Sequence, residues 1–208
     1  VPVMTTYFYM EVMRGMQDAL VESEYDLVVY VAPKPEEVNS QLERATQKGR
    51  AEGIILMSMP LSEARVKRLK ASKQAVVLVD GLHPDFDAIS VDNAKGGYMG
   101  TRHLVELGYT RIGHISVAPE PPPAEQRREG YERALRDAGR TVDPALMARS
   151  TRQPFGFVEE AGYEAMQQLL ARPCRPDAVF VASDNQALGA LRALRDAGVR
   201  VPAEMGVV

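Results

Sequence analysis

Arg127 is the residue in this sequence whose type and placement say most about chemistry. On a helix spanning roughly residues 124–138, positions 127, 131, 134, 135 and 138 share one face, so Arg127 falls on a stripe with Tyr131, Ala134, Leu135 and Ala138. An arginine turned inward needs an acceptor of good geometry. That acceptor is either an internal carboxylate or an oxygen or nitrogen of a ligand taken by the guanidinium fork. Arg128, Glu132 and Arg136, one turn apart, read instead as a solvated ladder of ion pairs. Two aspartates end apolar runs: Asp80 after Ala75–Val79, and Asp184 just beyond Ala178–Ala182. A carboxylate there either caps the next helix or, at the carboxyl edge of an α/β sheet, accepts hydrogen bonds from ligand hydroxyl or amino groups. For the helix near residue 185, capping by Ser183 or Asp184 is the plain alternative. Asp92, directly before a helix with Asn93, reads as structural. Phe8, Tyr9 and Phe157 each open a helix after a loop, either as core anchors or as flat faces that sandwich a ring or a sugar.

Groups for catalysis are sparse. His83, His103 and His114 have no metal-ligand spacing, and Cys174 is the single cysteine, so neither a thiolate cage nor an intrachain disulfide is expected. No serine lies in a nucleophile-elbow context and no glycine loop suits a phosphate. Gly96, Gly97 and Gly100 lie within a helix, where small residues permit close packing. The expectation is a binding protein with no catalytic residues, metal or cofactor. With 25 Lys and Arg against 28 Asp and Glu, the net charge of -3 is wrong for neutralising many nucleic-acid phosphates. No apolar run approaches the ~18 residues of a membrane span.

The elements that must position these residues alternate from end to end. Helices are expected over about 8–23, from Pro35 to near Gly49, from Ser62 to Ala71, from Asn93 to Leu107, over 124–138, from Phe157 to Leu170 and over about 185–197. Strands are expected at Leu27–Val31, Gly53–Met57, Ala75–Val79, Ile112–Val117 and Ala178–Ala182, and the first three runs are continuously apolar rather than alternating, which marks parallel strands covered on both faces. The stretch from Pro119 to Pro123 reads as a loop. This alternation gives an α/β fold of two doubly wound parallel-sheet lobes with a ligand cleft, residues 1–95 forming one lobe and 96–208 the other. Val1–Met4 and Met205–Val208 look like strands cut short, and both ends are expected to extend in the native protein.

The run Val91-Asp92-Asn93, Gly96-Gly97 and His103 to Gly113, followed by Arg127 to Tyr131, Pro176 to Phe180, Ser183 to Gly189 and Gly198 to Pro202, resembles the sensing domain of the lactose-repressor (LacI/GalR) family. Gly97-Tyr98-Met99-Gly100 and Gly162 to Gln168 are similar to the purine-repressor branch, although Pro121-Pro122-Pro123 stands where that branch supplies polar side chains. The resemblance implies that Phe8, Tyr9, Asp80, Arg127, Phe157 and Asp184 bind a small-molecule effector: a sugar, purine or nucleoside. It further implies a periplasmic-binding-protein-like fold, a homodimer in the cytoplasm, and operator DNA read by a headpiece not in this chain. A periplasmic sugar-binding protein of a transporter shares the fold and is the alternative.

Overall fold

A computed structural model describes residues 7–32, 34, 36–151 and 157–208. The expected strand at Val1–Met4 and the helix-opening Pro35 lie outside the described residues. The chain divides into two compact units, Val1–Val91 and Asp92–Val208. No helix among the described residues is long and apolar enough to cross a membrane.

The first unit runs α1 (Tyr7–Leu20), α2 (Glu37–Ala45), β1 (Gly53–Met57), α3 (Glu63–Ser72), β2 (Ala75–Val79) and β3 (Asp87–Ile89). Its strands are all parallel in the order β1-β2-β3, with Ile54 opposite Val76 and Leu78 opposite Ala88. Ile54, Leu56, Val76 and Leu78 turn to one face and are buried with Leu42 and Ala45 of α2 and Leu69 of α3. Ser62 caps α3 by accepting from the Arg65 N–H. The Gln74 amide donates to the carbonyls of Ala45 and Ala51, fastening the end of α2 to the loop before β1.

One expectation fails here, and one strand was not anticipated. Leu27–Val31 belongs to no sheet, and Val28 is 61% exposed. An apolar run supplies side chains but not a ladder, and β1 pairs with β2 alone in this unit. Conversely β3, only three residues long and exposed throughout, carries no apolar run to announce it.

The second unit comprises α4 (Asn93–Glu106), β4 (Ile112–Val117), α5 (Pro122–Asp137), β5 (Met147–Ser150), α6 (Glu159–Leu170), β6 (Ala178–Val181), α7 (Asp184–Asp196) and β7 (Gly206–Val207). The order β5-β4-β6-β7 is again all parallel. Every residue of β4 and β6 is buried. Ile115, Val179 and Val181 meet α6 and α7 through Met166, Leu169, Ala190 and Leu194, whereas Ile112, Ala178 and Phe180 meet α4 and α5 through Leu104, Tyr131 and Leu135. Burying a strand on both faces is what makes the sequence of β6 continuously apolar. The Asp177 carboxylate accepts from the Thr110 side chain and the Thr110 and Arg111 N–H groups, clamping the starts of β4 and β6. Burial pushes that carboxyl up, but these bonds outweigh it and hold it below its ordinary value.

β5 was not anticipated, because Met-Ala-Arg-Ser at a sheet edge lacks an apolar run. The proline stretch is also not wholly loop: Pro122 and Pro123 form the first turn of α5. That turn is the one place in a helix where a missing N–H costs no intrahelical bond.

The helices pack in pairs whose backbones touch at glycines. A Cβ on Gly97 would stand 2.0 Å from the Arg127 carbonyl oxygen, and one on Gly130 2.1 Å from that of Ala94, so α4 and α5 grip each other reciprocally. The same arrangement joins α6 to α7, where a Cβ on Gly162 would stand 1.9 Å from the Gln186 carbonyl oxygen and one on Gly189 1.8 Å from that of Glu159. Opposite effects are therefore expected at neighbouring glycines of α4. Gly97→Ala should destabilise the chain by about 1–3 kcal/mol or more through overpacking. Gly96→Ala, with nothing within 4 Å of its Cβ, should stabilise by about 0.5–1 kcal/mol through helix propensity. Urea unfolding of both variants measures this.

β4 also buries two polar residues, His114 and Ser116. The His114 ring lies between Tyr131 and Phe180, centroids 5.0 and 5.4 Å away, with Nδ1 3.0 Å from the Phe180 carbonyl. Burial lowers its pKa to about 4, against the bond to Phe180 and the charge of Glu120, which favour protonation; Arg149 and Arg128 oppose it. The ring therefore folds neutral. Unfolded, it protonates near pH 6.5, so its contribution to stability is complete above that pH and is lost as pH falls from 6.5 towards 4, roughly 3 kcal/mol in all. His114→Phe should remove that part of the acid sensitivity, measured as the difference in unfolding free energy between pH 7 and pH 4.5.

Candidate functional site

In parallel sheets every strand ends at the same edge, and the candidate residues gather at those edges. In the first unit, Ser58 directly follows β1 and Asp80 directly follows β2. Their N–H groups extend the ladder by one step, Ser58 to the Val79 carbonyl and Asp80 to that of Ile89, both at 2.8 Å. Both residues then take positive φ, 48° and 56°, a conformation that is uncommon outside glycine and costs of order 1–3 kcal/mol. Here it brings the two side chains together: the Ser58 hydroxyl donates to Asp80 Oδ2 at 2.7 Å. Tyr9, half-buried on α1, reaches the same pair. Burial raises its pKa, a hydrogen bond with Ser58 lowers it, and the charge of Asp80 raises it further, with a net upward shift that keeps the phenol protonated. Phe8 meets the Tyr9 ring edge-on, centroids 5.2 Å apart, and is 46% exposed.

Phe8, Tyr9 and Asp80 are thus brought together, an aromatic pair beside a carboxylate. Ser58 completes the cluster. Nothing in its local sequence marks it, because the signal is a backbone angle.

In the second unit, Arg127 sits half-buried in the first turns of α5, with Tyr131, Ala134 and Leu135 buried beyond it on the same stripe. Its Nε donates to Asn93 Oδ1 at 2.9 Å and one terminal nitrogen to the Ala182 carbonyl at 2.6 Å. Those two bonds join α4, α5 and the end of β6. Two residues beyond Ala182 comes Asp184. Ser183 is the capping residue of α7, accepting from the Gln186 N–H, so the Asp184 carboxylate is not spent on the cap and is exposed. Phe157, half-buried ahead of α6, is held to the same corner by the Asn185 amide, which donates to its carbonyl at 3.3 Å. Arg127, Phe157 and Asp184 therefore share one corner of the second sheet. A guanidinium, a carboxylate and an aromatic ring there can take acceptors, donors and a flat face of one small molecule.

The loop into α5 departs from expectation. Arg128 and Glu132 are not solvated: their side chains are 19% and 18% exposed, because Glu120 folds over them. Arg128 donates to Glu120 at 2.7 Å and to Glu132 at 2.6 Å, Glu132 also takes Arg136 at 2.6 Å, and Arg149 approaches Glu120 at 3.4 Å. The bonds to Glu120 first, and to Glu132, raise the Arg128 pKa further. Five charges thereby brace the loop beside Arg127. A separate open cavity of about 480 Å³ lies against α3 in the first unit, lined by Val66, Lys67, Lys70, His83 and Asp85, and none of the candidate residues lines it.

The family model describing periplasmic binding proteins and the sugar binding domain of the LacI family matches residues 1–208. The transcriptional repressor PurR of Haemophilus influenzae is 31% identical over 204 residues, covering 97% of this chain and 59% of that protein. The ribose operon repressor of Escherichia coli is 30% identical over 208 residues, covering 98% of this chain and 61% of the repressor. Among solved structures, the complex of the transcriptional regulator CelR with cellobiose is 29% identical with a TM-score of 0.81, over 96% of this chain and 61% of that one. The chain thus spans about three fifths of the length of these curated relatives. It belongs to the family of periplasmic binding proteins and LacI-type sugar-binding domains.

Proposed function

We propose that this chain is the effector-sensing part of a transcriptional repressor, binding a sugar, purine or nucleoside through Phe8, Tyr9 and Asp80 of its first unit and Arg127, Phe157 and Asp184 of its second. The observation that carries this reading is Arg127. Its fork is oriented by Asn93 and by the carboxyl end of β6, beside an aspartate that the helix cap leaves exposed. The relatives are by name a transcriptional repressor, PurR, and a ribose operon repressor, which favours a regulator over a transporter's sugar-binding protein. Both named chemistries present hydroxyls or ring nitrogens that suit an arginine, aspartates and aromatic faces. The reading is of a binding function without catalysis.

In this reading a helix-turn-helix headpiece outside this chain contacts the operator in the cytoplasm. The effector changes the arrangement of the two lobes and with it operator affinity, to the extent that it binds one arrangement better than the other. The protein acts as a homodimer. Leu188 and Leu191, 57% and 38% exposed on one face of α7, offer apolar surface suited to a subunit contact.

A thermal-shift series with hypoxanthine, guanosine, D-ribose and cellobiose tests the reading, because a ligand that binds the folded state alone raises its Tm; at a hundred times Kd the gain is about 2.7 kcal/mol. One of these classes is expected to stabilise the wild type, and Arg127→Ala is expected to abolish that shift while its ligand-free far-UV spectrum and cooperative melting persist. An undiminished shift in Arg127→Ala would remove Arg127 from the site. Stabilisation by cellobiose alone would place the chain with regulators that sense larger sugars.

A further inference from the structure

We propose that Asn93 is a positioning residue for effector binding, holding the Arg127 guanidinium in the orientation that a ligand meets. The proposal rests on the reading of Arg127 as an effector ligand and adds a residue that does not itself touch the effector.

Asn93 is the first residue of α4 and is only 5% exposed. An asparagine near a helix N-terminus ordinarily spends its side chain on the orphan N–H groups of the first turn. Here Asp92 does that work, accepting from the Lys95 N–H at 2.8 Å. The Asn93 amide is thereby released for a tertiary role. Its oxygen accepts from Arg127 Nε at 2.9 Å and its nitrogen donates to Gln126 Oε1 at 3.2 Å, so one short side chain spans two successive residues of α5. The amide can be oriented only one way, because a guanidinium donates and never accepts.

The reach of this bond depends on the helix pair. Gly97 is one turn along α4 from Asn93, and its Cα lies against the Arg127 carbonyl so closely that a Cβ would stand 2.0 Å from the oxygen. That contact brings the two backbones near enough for an asparagine to reach Nε. With Nε held by Asn93 and a terminal nitrogen held by the Ala182 carbonyl, the guanidinium plane is anchored on two edges by two different elements. A planar fork fixed in this way meets a ligand without losing rotamer freedom on binding. Asn93 also lies two residues past the passage of the chain from the first unit to the second, so the bond ties the arginine to that junction.

The test uses the purified chain and three variants. Asn93→Asp keeps the acceptor for Nε, with Gln126 able to turn its amide and donate; Asn93→Leu keeps the volume and removes the acceptor; Arg127→Ala identifies the Arg127 Nε–H resonance in nitrogen-15 NMR spectra by its disappearance. In the wild type and Asn93→Asp that resonance should be resolved and slow to exchange with water, and in Asn93→Leu it should collapse into the signal of solvated arginines. Titration calorimetry with hypoxanthine and with D-ribose should show at least about a tenfold loss of affinity in Asn93→Leu, the effect of losing one hydrogen bond to a charged group, with Asn93→Asp within about threefold of wild type. Should Asn93→Leu fail to fold, Asn93→Ser, too short to reach Nε, takes its place.

An Arg127 Nε–H that stays protected in Asn93→Leu overturns the proposal, as does an affinity that variant leaves unchanged while Arg127→Ala loses it. An affinity that survives Arg127→Ala overturns instead the reading of Arg127, and the resonance still decides whether Asn93 holds the side chain. If neither probe binds the wild type, that resonance alone decides the proposal.

Discussion

Parallel pairing is the constraint from which the rest of this molecule follows. Parallel strands cannot be joined by tight turns, so each needs a crossover, and apart from the short connection 80–86 between β2 and β3 each crossover within a sheet is supplied mainly by a helix. The strands then end together, and all loops leaving their carboxyl ends meet along one edge. Ser58 and Asp80 stand at that edge in the first unit, and Ala182 to Asn185 with the α5 entrance in the second. Neither group needed a dedicated scaffold.

Legibility in the sequence followed burial. β1, β2 and β4 were read to the residue because each is rich in apolar residues, β4 through cover on both faces and β1 and β2 although they bury mainly one. β3 and β5, at sheet edges, are short, carry polar residues and left no such trace. Leu27–Val31 shows the converse error, since apolar character identifies residues that seek cover but not the ladder that would make them a strand. The candidate site divides along the same line. Arg127 was visible because helical periodicity set a charged group on an apolar stripe, and Asp80 and Asp184 because each ends a buried run. Ser58, Asn93 and Glu120 were not singled out. Their roles depend on a positive φ, on a cap taken by the preceding residue and on a loop folding back over α5, and all three are tertiary facts.

Polar groups in the second unit fall into two populations. One serves the frame: the Tyr131 hydroxyl donates to the Ile112 carbonyl at 2.8 Å, the Gln186 amide donates to that of Ser116 at 3.2 Å, and His114 meets that of Phe180. Each places a side-chain polar group on a backbone carbonyl, and the apolar layers close around them. The other population stands at the carboxyl edge, where Arg127 is partly exposed and Asp184 is open to solvent. Glu120, Arg128 and Glu132 belong to neither extreme. They are largely enclosed charges whose mutual bonds tie a proline-bearing loop to the helix that follows it.

The glycine contacts within the two helix pairs have a consequence for how such a domain changes its ligand over time. Because α4 grips α5, and α6 grips α7, through backbone atoms, the spacing of each pair is independent of the side chains displayed elsewhere on those helices. The loops entering α5 and α6 can therefore exchange residue types freely while the anchoring points of Arg127 and Asp184 stay where they are. One rigid lattice of main-chain contacts can in this way serve many effectors, with new recognition arising from the loops and few compensating changes required beneath them.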